Sequence, residues 1–454
     1  MKKLATIALG TSLCFSSMQL TTLADGIDDQ ILDEEIQEVD GEQEGMDGEE
    51  VNEEVEEELL EEVTSLSLED VIERGLENNS MLLLLRYEQE RLENQDGQTR
   101  KDLRDAKNDI DDAEDAWDNL NEMRRMLNRL YTEDREGFQS THGDFGESRQ
   151  ELHQQREGIE NQLEQLEDLI DQLELGLEQI ESGQIQLNYQ KEEAELMMKL
   201  MLTADYVELV SLADQIAFLE NSLKLLQNDI ERTNRQYQLG LVSRDELSKL
   251  YRDEESQDVE LEQLKKDYQN KLARLTLDIG VMYNPEIKLE PIPVNEVEAI
   301  ERDEDIDELI EQSYEMKKAE EHLRLAKIER EDVYEDEDAS QYQRNQADID
   351  VDIEIGNVEE TQVELTQAIN ELYFNLDEAV QSVKDAEREL NYTIEDHEKL
   401  KLQHQLGLIS TFDVNQASFQ IEQAQFELEM SKVSYFMVAE QVKAMEEGLI
   451  QVNS

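Results

Sequence analysis

Apolar residues return every three or four positions along most of this chain, and the rhythm is most regular in three runs. Leu103, Ala106, Ile110, Ala113, Trp117 and Leu120 form the first; Ile159, Leu163, Leu166, Ile170, Leu173, Leu177 and Ile180 the second; Leu212, Ile216, Leu219, Leu223, Leu226 and Ile230 the third. An apolar repeat of about 3.5 residues places its a and d side chains on one seam, which left-handed supercoiling keeps against a partner helix. Gly137–Gly146 breaks the rhythm between the first two runs, so they predict an antiparallel pair. The expected fold is all-α: long antiparallel coiled-coil hairpins, with at most a short β segment near 348–355. There Asp348-Ile-Asp-Val-Asp-Ile-Glu-Ile355 alternates with the period of a strand.

The helical pattern is interrupted twice by nearly the same words, Gln238-Leu-Gly-Leu-Val-Ser243 and Gln405-Leu-Gly-Leu-Ile-Ser410. Gly240 and Gly407 can take the left-handed backbone that ends a helix, and Ser243 and Ser410 can cap the next one. Each motif therefore predicts a hairpin tip, followed by return helices over Asp245–Ile279 and Asp413–Met445, each roughly 50 Å long. The tips lie 407 − 240 = 167 residues apart, and the same offset lays Tyr206 on Tyr373. Leu68-Glu-Asp-Val-Ile-Glu matches Ile306-Asp-Glu-Leu-Ile-Glu at an offset of 238, so the first copy carries 238 − 167 = 71 extra residues, between Gln98 and Leu200. Pro285, Pro291 and Pro293, the chain's three prolines, separate the halves.

The expected organisation is two tandem repeats. The first is a helical-hairpin repeat over 65–283 with an inserted coiled-coil hairpin at about 100–185, then a Pro-containing linker at 284–296 and a second repeat at 297–450. Before them, Met1-Lys2-Lys3, an apolar run to Leu20 and Thr22-Leu23-Ala24 read as a signal peptide over 1–24. Residues 25–64 form an acidic tract expected to be a disordered linker, since no Lys or Arg occurs between Lys3 and Arg74 and little apolar surface is available to bury. Past the leader no run approaches the roughly 20 apolar residues of a spanning helix.

Charge narrows the list of functions. With 41 basic and 115 acidic residues the formal charge is −74, which repels nucleic acid and anionic lipid surfaces and makes both poor candidates as partners. Cys14, the one cysteine, lies in the leader, and the five histidines lack ligand spacing, so no metal or other cofactor is expected. No nucleophile elbow, phosphate loop or metal motif is present, which argues against an enzyme.

The paired tips, their duplication and the opening segment Leu66-Ser-Leu-Glu-Asp-Val-Ile-Glu-Arg-Gly-Leu-Glu-Asn-Asn-Ser80 resemble the outer-membrane efflux protein (TolC-like) family over about Ser65 to Gly448. That resemblance implies a homotrimeric helical conduit in the cell envelope, working with a periplasmic adaptor and an inner-membrane pump. It implies that Leu239, Gly240, Leu241, Val242 and Ser243, with Leu406, Gly407, Leu408, Ile409 and Ser410, form the surface on which the adaptor docks. Glu246 and Asp413 match the family's acidic step at the entrance, whereas Gln416 and His404 replace two further polar positions of some relatives. The family's paired membrane strands have no counterpart in the pattern, where the charged hairpin of about Leu103 to Ile180 stands instead. The alternative reading is a secreted coiled-coil structural or regulatory protein of the cell wall without channel activity.

Overall fold

In both halves a short helix leads into a hairpin, and in the first half its cap is written in the sequence. Ser67 begins α1 (Leu68–Glu77): its hydroxyl accepts from the Asp70 N–H, while the Asp70 carboxylate accepts from the Ser67 N–H at 3.1 Å. Asn79 caps α2 (Ser80–Glu133), and Asp144 caps α3 (Phe145–Gln238). α4 (Arg244–Asp278) returns along α3. The second half repeats the order with α5 (Ile306–Gln312), α6 (Tyr314–Glu335), α7 (Gln341–Gln405) and α8 (Thr411–Glu446). The computed structural model describes residues 63–136, 138, 144–292, 305–336 and 338–451. All belong to the unit Leu59–Ser454. The expected signal peptide, nearly all of the acidic tract, much of the Gly-rich break and the C-terminal end of the Pro-containing linker lie outside the described residues.

α2 and α3 pair along the predicted heptads. Ala106 and Ala113 are buried, and Trp117 lies beneath the Arg156 guanidinium, 4.3 Å from its ring centroid. Small residues let the two backbones approach, and the flat indole covers the wider part of the seam. At 94 residues, α3 runs for about 140 Å without interruption. It serves five partners: α1, α2 and α4 of its own half, α6 and α8 of the other.

The alternating segment 348–355 is helix, not strand; it lies inside α7. Its helical register is fixed from outside, because Arg330 Nε and Tyr334 Oη of α6 both donate to the Asp348 carboxylate, at 2.6 and 2.8 Å. A period of two over eight residues does not outweigh an unbroken 65-residue helix capped by the Ser340–Gln343 box. Among the described residues, strand structure is confined to β1 (Ser65–Leu66) and β2 (Lys288–Leu289), which pair in parallel.

Two cores form at the hairpin bases, away from the tips. Val71, Leu202, Tyr206, Leu209 and Leu275 meet in one; Leu309, Ile369, Tyr373, Leu376 and Val442 meet in the other. These are position-for-position counterparts at the offsets of 238 for the first pair and 167 for the rest. Both cores close on a positive-φ glycine, Gly280 (+67°) and Gly448 (+101°). Beside Gly280, Asn78 Nδ2 donates to Ile279 O at 3.1 Å; beside Gly448, Tyr314 N–H donates to Gly448 O at 3.1 Å.

Tyr206 ties β1 and β2 to α3. Its hydroxyl lies 3.0 Å from Leu66 O and 2.7 Å from Glu290 O, so one proton serves two carbonyls. Burial pushes this phenol up to about 12. A folded-state value above the unfolded one, near 10, gives stability that is complete below about pH 10 and is lost as pH rises toward 12. Tyr206→Phe is expected to cost about 1–2 kcal/mol at neutral pH by removing the donor. It should also flatten part of the loss between pH 10 and 12, which urea unfolding at several pH values would measure.

Candidate functional site

Each predicted tip folds as a helix end followed at once by a capped helix start. At the first, Leu239 ends α3, Gly240 takes φ +74°, and the Gly240 and Leu241 N–H groups donate to Tyr237 O and Gln236 O, both at 2.9 Å. At the second, Gly407 takes φ +73°, and the Gly407 and Leu408 N–H groups donate to His404 O at 2.8 Å and Gln403 O at 2.9 Å. This double reach-back ties off carbonyls that a helix end leaves free, and it needs a residue at ease with positive φ. Ser243 and Ser410 then start α4 and α8, accepting from the Glu246 and Asp413 N–H groups at 3.2 and 3.3 Å.

The leucines that flank each glycine face solvent. Leu239, Leu241, Leu406 and Leu408 are 70–75% exposed, while Val242 and Ile409 turn inward and are half-buried. Neither glycine has another group within contact distance of an added Cβ, so the space beside each is open. Four large apolar side chains in water, two on each rigid tip, form a surface that costs free energy until a partner covers it.

The two acids assigned to the entrance have different surroundings. Asp413 closes a capping box: its carboxylate accepts from the Ser410 N–H at 2.9 Å and the Ser410 hydroxyl at 2.8 Å. These bonds, with a smaller contribution from the Arg232 charge, hold its carboxyl below the usual aspartate range. Glu246 only donates its backbone N–H to Ser243, and its side chain is exposed. Gln416 is exposed, and His404 Nε2 lies 3.1 Å from Thr411 Oγ1.

Two features of the tips were not singled out in the sequence. The first is a bridge between them: the Arg232 guanidinium of α3 stacks 3.4 Å from the centroid of the Phe412 ring of α8 and donates to Asp229 at 2.9 Å. Farther from the tips Phe218 stacks on Phe419 and Phe426, with centroids 5.4 and 4.7 Å away. α3 and α8 are thus pinned near the tips and along their length. The second is charge. No Asp or Glu occurs from Arg232 to Arg244 or from Lys399 to Phe412, so both tips are basic in a chain of charge −74.

No protein-family model and no curated protein matches the sequence. The similar solved structures include outer-membrane channels. The outer membrane protein VceC from Vibrio cholerae is 14% identical, with 61% of this chain and 76% of that one covered and a TM-score of 0.42. The CmeC outer membrane channel of Campylobacter jejuni is 15% identical, covering 63% and 70%, with a TM-score of 0.45. A membrane protein from Pseudomonas aeruginosa is 12% identical, covering 62% and 72%, with a TM-score of 0.49. No helix among the described residues is long and apolar enough to cross a membrane.

Proposed function

We propose that this chain is a TolC-like, non-enzymatic component of an envelope efflux or secretion system, acting as an oligomeric helical conduit or scaffold that docks an adaptor through its paired tips. The observation that carries the reading is the duplicated tip: two copies of one turn, each bearing two water-exposed leucines, held together by Arg232 on Phe412. Neither coiled-coil packing nor helix capping calls for Leu239, Leu241, Leu406 and Leu408 to face solvent. A partner hairpin with apolar side chains gives them a reason. In this reading 65–283 and 297–450 are repeats of one unit, three chains assemble side by side, and an adaptor joins them to an inner-membrane pump.

The test uses the purified chain and an adaptor encoded beside its gene. Native mass should correspond to three chains. Exchanging the four tip leucines together for serine should weaken adaptor binding at least about 30-fold, since buried apolar anchors dominate such contacts, while leaving the helical circular dichroism signal unchanged. A monomer that ignores the adaptor, or a quadruple variant that binds as well as the parent, would overturn the proposal. The monomer result would favour a secreted structural coiled coil.

A further inference from the structure

The α2–α3 hairpin continues past the turn between α6 and α7. Gln179 of α3 donates to Glu329 of α6 at 2.9 Å, and farther out along the arm Lys107 of α2 pairs with Glu174 and Trp117 lies beneath Arg156. On this arm the charge pattern of the chain reverses. Met123–Thr132 is a stretch of ten residues that holds Arg124, Arg125 and Arg129 and no Asp or Glu. All three arginines are exposed, and among the described residues none of them meets a carboxylate. Met123, Met126 and Leu130, at the i, i+3, i+7 spacing of one helix face, are 54, 57 and 41% exposed.

We propose that this flank of the arm docks on an anionic lipid surface. Met123, Met126 and Leu130 would enter the boundary between headgroups and acyl chains. Arg125 and Arg129, one turn apart beside them, would reach the phosphates, as basic amphipathic helices do at interfaces. Between Lys107 and Lys191 the chain uses arginine and no lysine. The planar guanidinium fork matches a phosphate in a way that an ammonium does not. The flank is held firm by the end of the arm, where Tyr131 stacks on Phe145 at 3.9 Å and Phe138 packs edge-on to both at 5.7 and 5.8 Å.

The net charge of −74 opposes such docking only at short range. At physiological salt a charge is screened within about 8 Å, or some five residues of helix, so most of the chain's carboxylates lie too far away to weigh on this stretch. Glu122 and Glu133 bound the patch and set its length. An acidic protein surface would satisfy the arginines too. Unbranched, adaptable methionines carrying two of the three apolar contacts favour a fluid surface over a shaped one.

The exported form, from Asp25 onward, would be sedimented with vesicles of phosphatidylglycerol in phosphatidylcholine and with vesicles of phosphatidylcholine alone. It is expected to bind the first and not the second. The triple exchange R124Q, R125Q, R129Q should lower partitioning by roughly a hundred-fold, about five-fold per charge. The triple exchange M123S, M126S, L130S should also weaken it, and circular dichroism should show both variants still helical. Equal binding to the two vesicles, triple-arginine binding equal to the parent, or capture of soluble polyphosphate without vesicle binding would each overturn the proposal.

Discussion

Gly448→Ala is expected to destabilise the second core by about 2–4 kcal/mol, through two separate costs. The first is backbone: φ at Gly448 is +101°, beyond even the ordinary left-handed region, and L side chains rarely adopt it. The second is space: an added Cβ would stand 2.8 Å from Gln312 O and 3.3 Å from the Tyr314 ring. Relief would move the end of α8 away from the start of α6 and break the Tyr314–Gly448 hydrogen bond. At Gly407 only the first cost applies, since nothing lies within reach of a Cβ there. Gly407→Ala should therefore cost about 1 kcal/mol. Denaturant unfolding of the two variants side by side measures the difference, and equal losses would show that crowding at Gly448 is relieved without penalty.

Lys318→Met should cost about 2–3 kcal/mol, the low end for a broken buried ion pair because the group keeps some contact with water. Lys318 Nζ of α6 lies 2.9 Å from Glu193 of α3 and 2.7 Å from Glu315, and the lysine and Glu193 side chains are each about one-fifth exposed. Burial lifts the Glu193 carboxyl above the usual glutamate range, and Lys318 is what offsets that cost. The lysine itself, despite its burial, is held above its ordinary value by the hydrogen bonds it donates to Glu315 and Glu193. Removing the cation leaves two carboxylates facing each other between the halves of the chain. Adding Glu193→Gln to the variant should recover most of the loss. A double mutant no more stable than Lys318→Met would mean that the cost comes from lost packing of the lysine stem.

The tips were legible because Gly and Ser act there as local punctuation: positive φ at Gly240 and Gly407, and an oxygen for the next helix at Ser243 and Ser410. The capping role of Asp413 was not read from the sequence, although Ser410 and Asp413 have the spacing of a capping box. The offset of 167 laid Tyr206 on Tyr373, and the two lie in matching cores. The Arg232–Phe412 contact was not legible, because it joins positions 180 residues apart, and the first half has Asp245 where the second has Phe412. The segment 348–355 misled for a related reason: its helical register comes from Arg330 and Tyr334 on another helix. The basic flank at Met123–Thr132 was present in the letters but hidden by the total charge.

The unbroken course of α3 constrains how such a protein can change in length. Removing one residue from its middle would rotate everything beyond it by about 100°, turning Leu239 and Leu241 away from their counterparts on the second tip. Seven residues, removed together with seven from the facing helix, would return every side chain to nearly its former bearing. The reach of the arm is thus quantised: growth or shortening by whole heptads preserves the alignment of the tips, and any other step discards it.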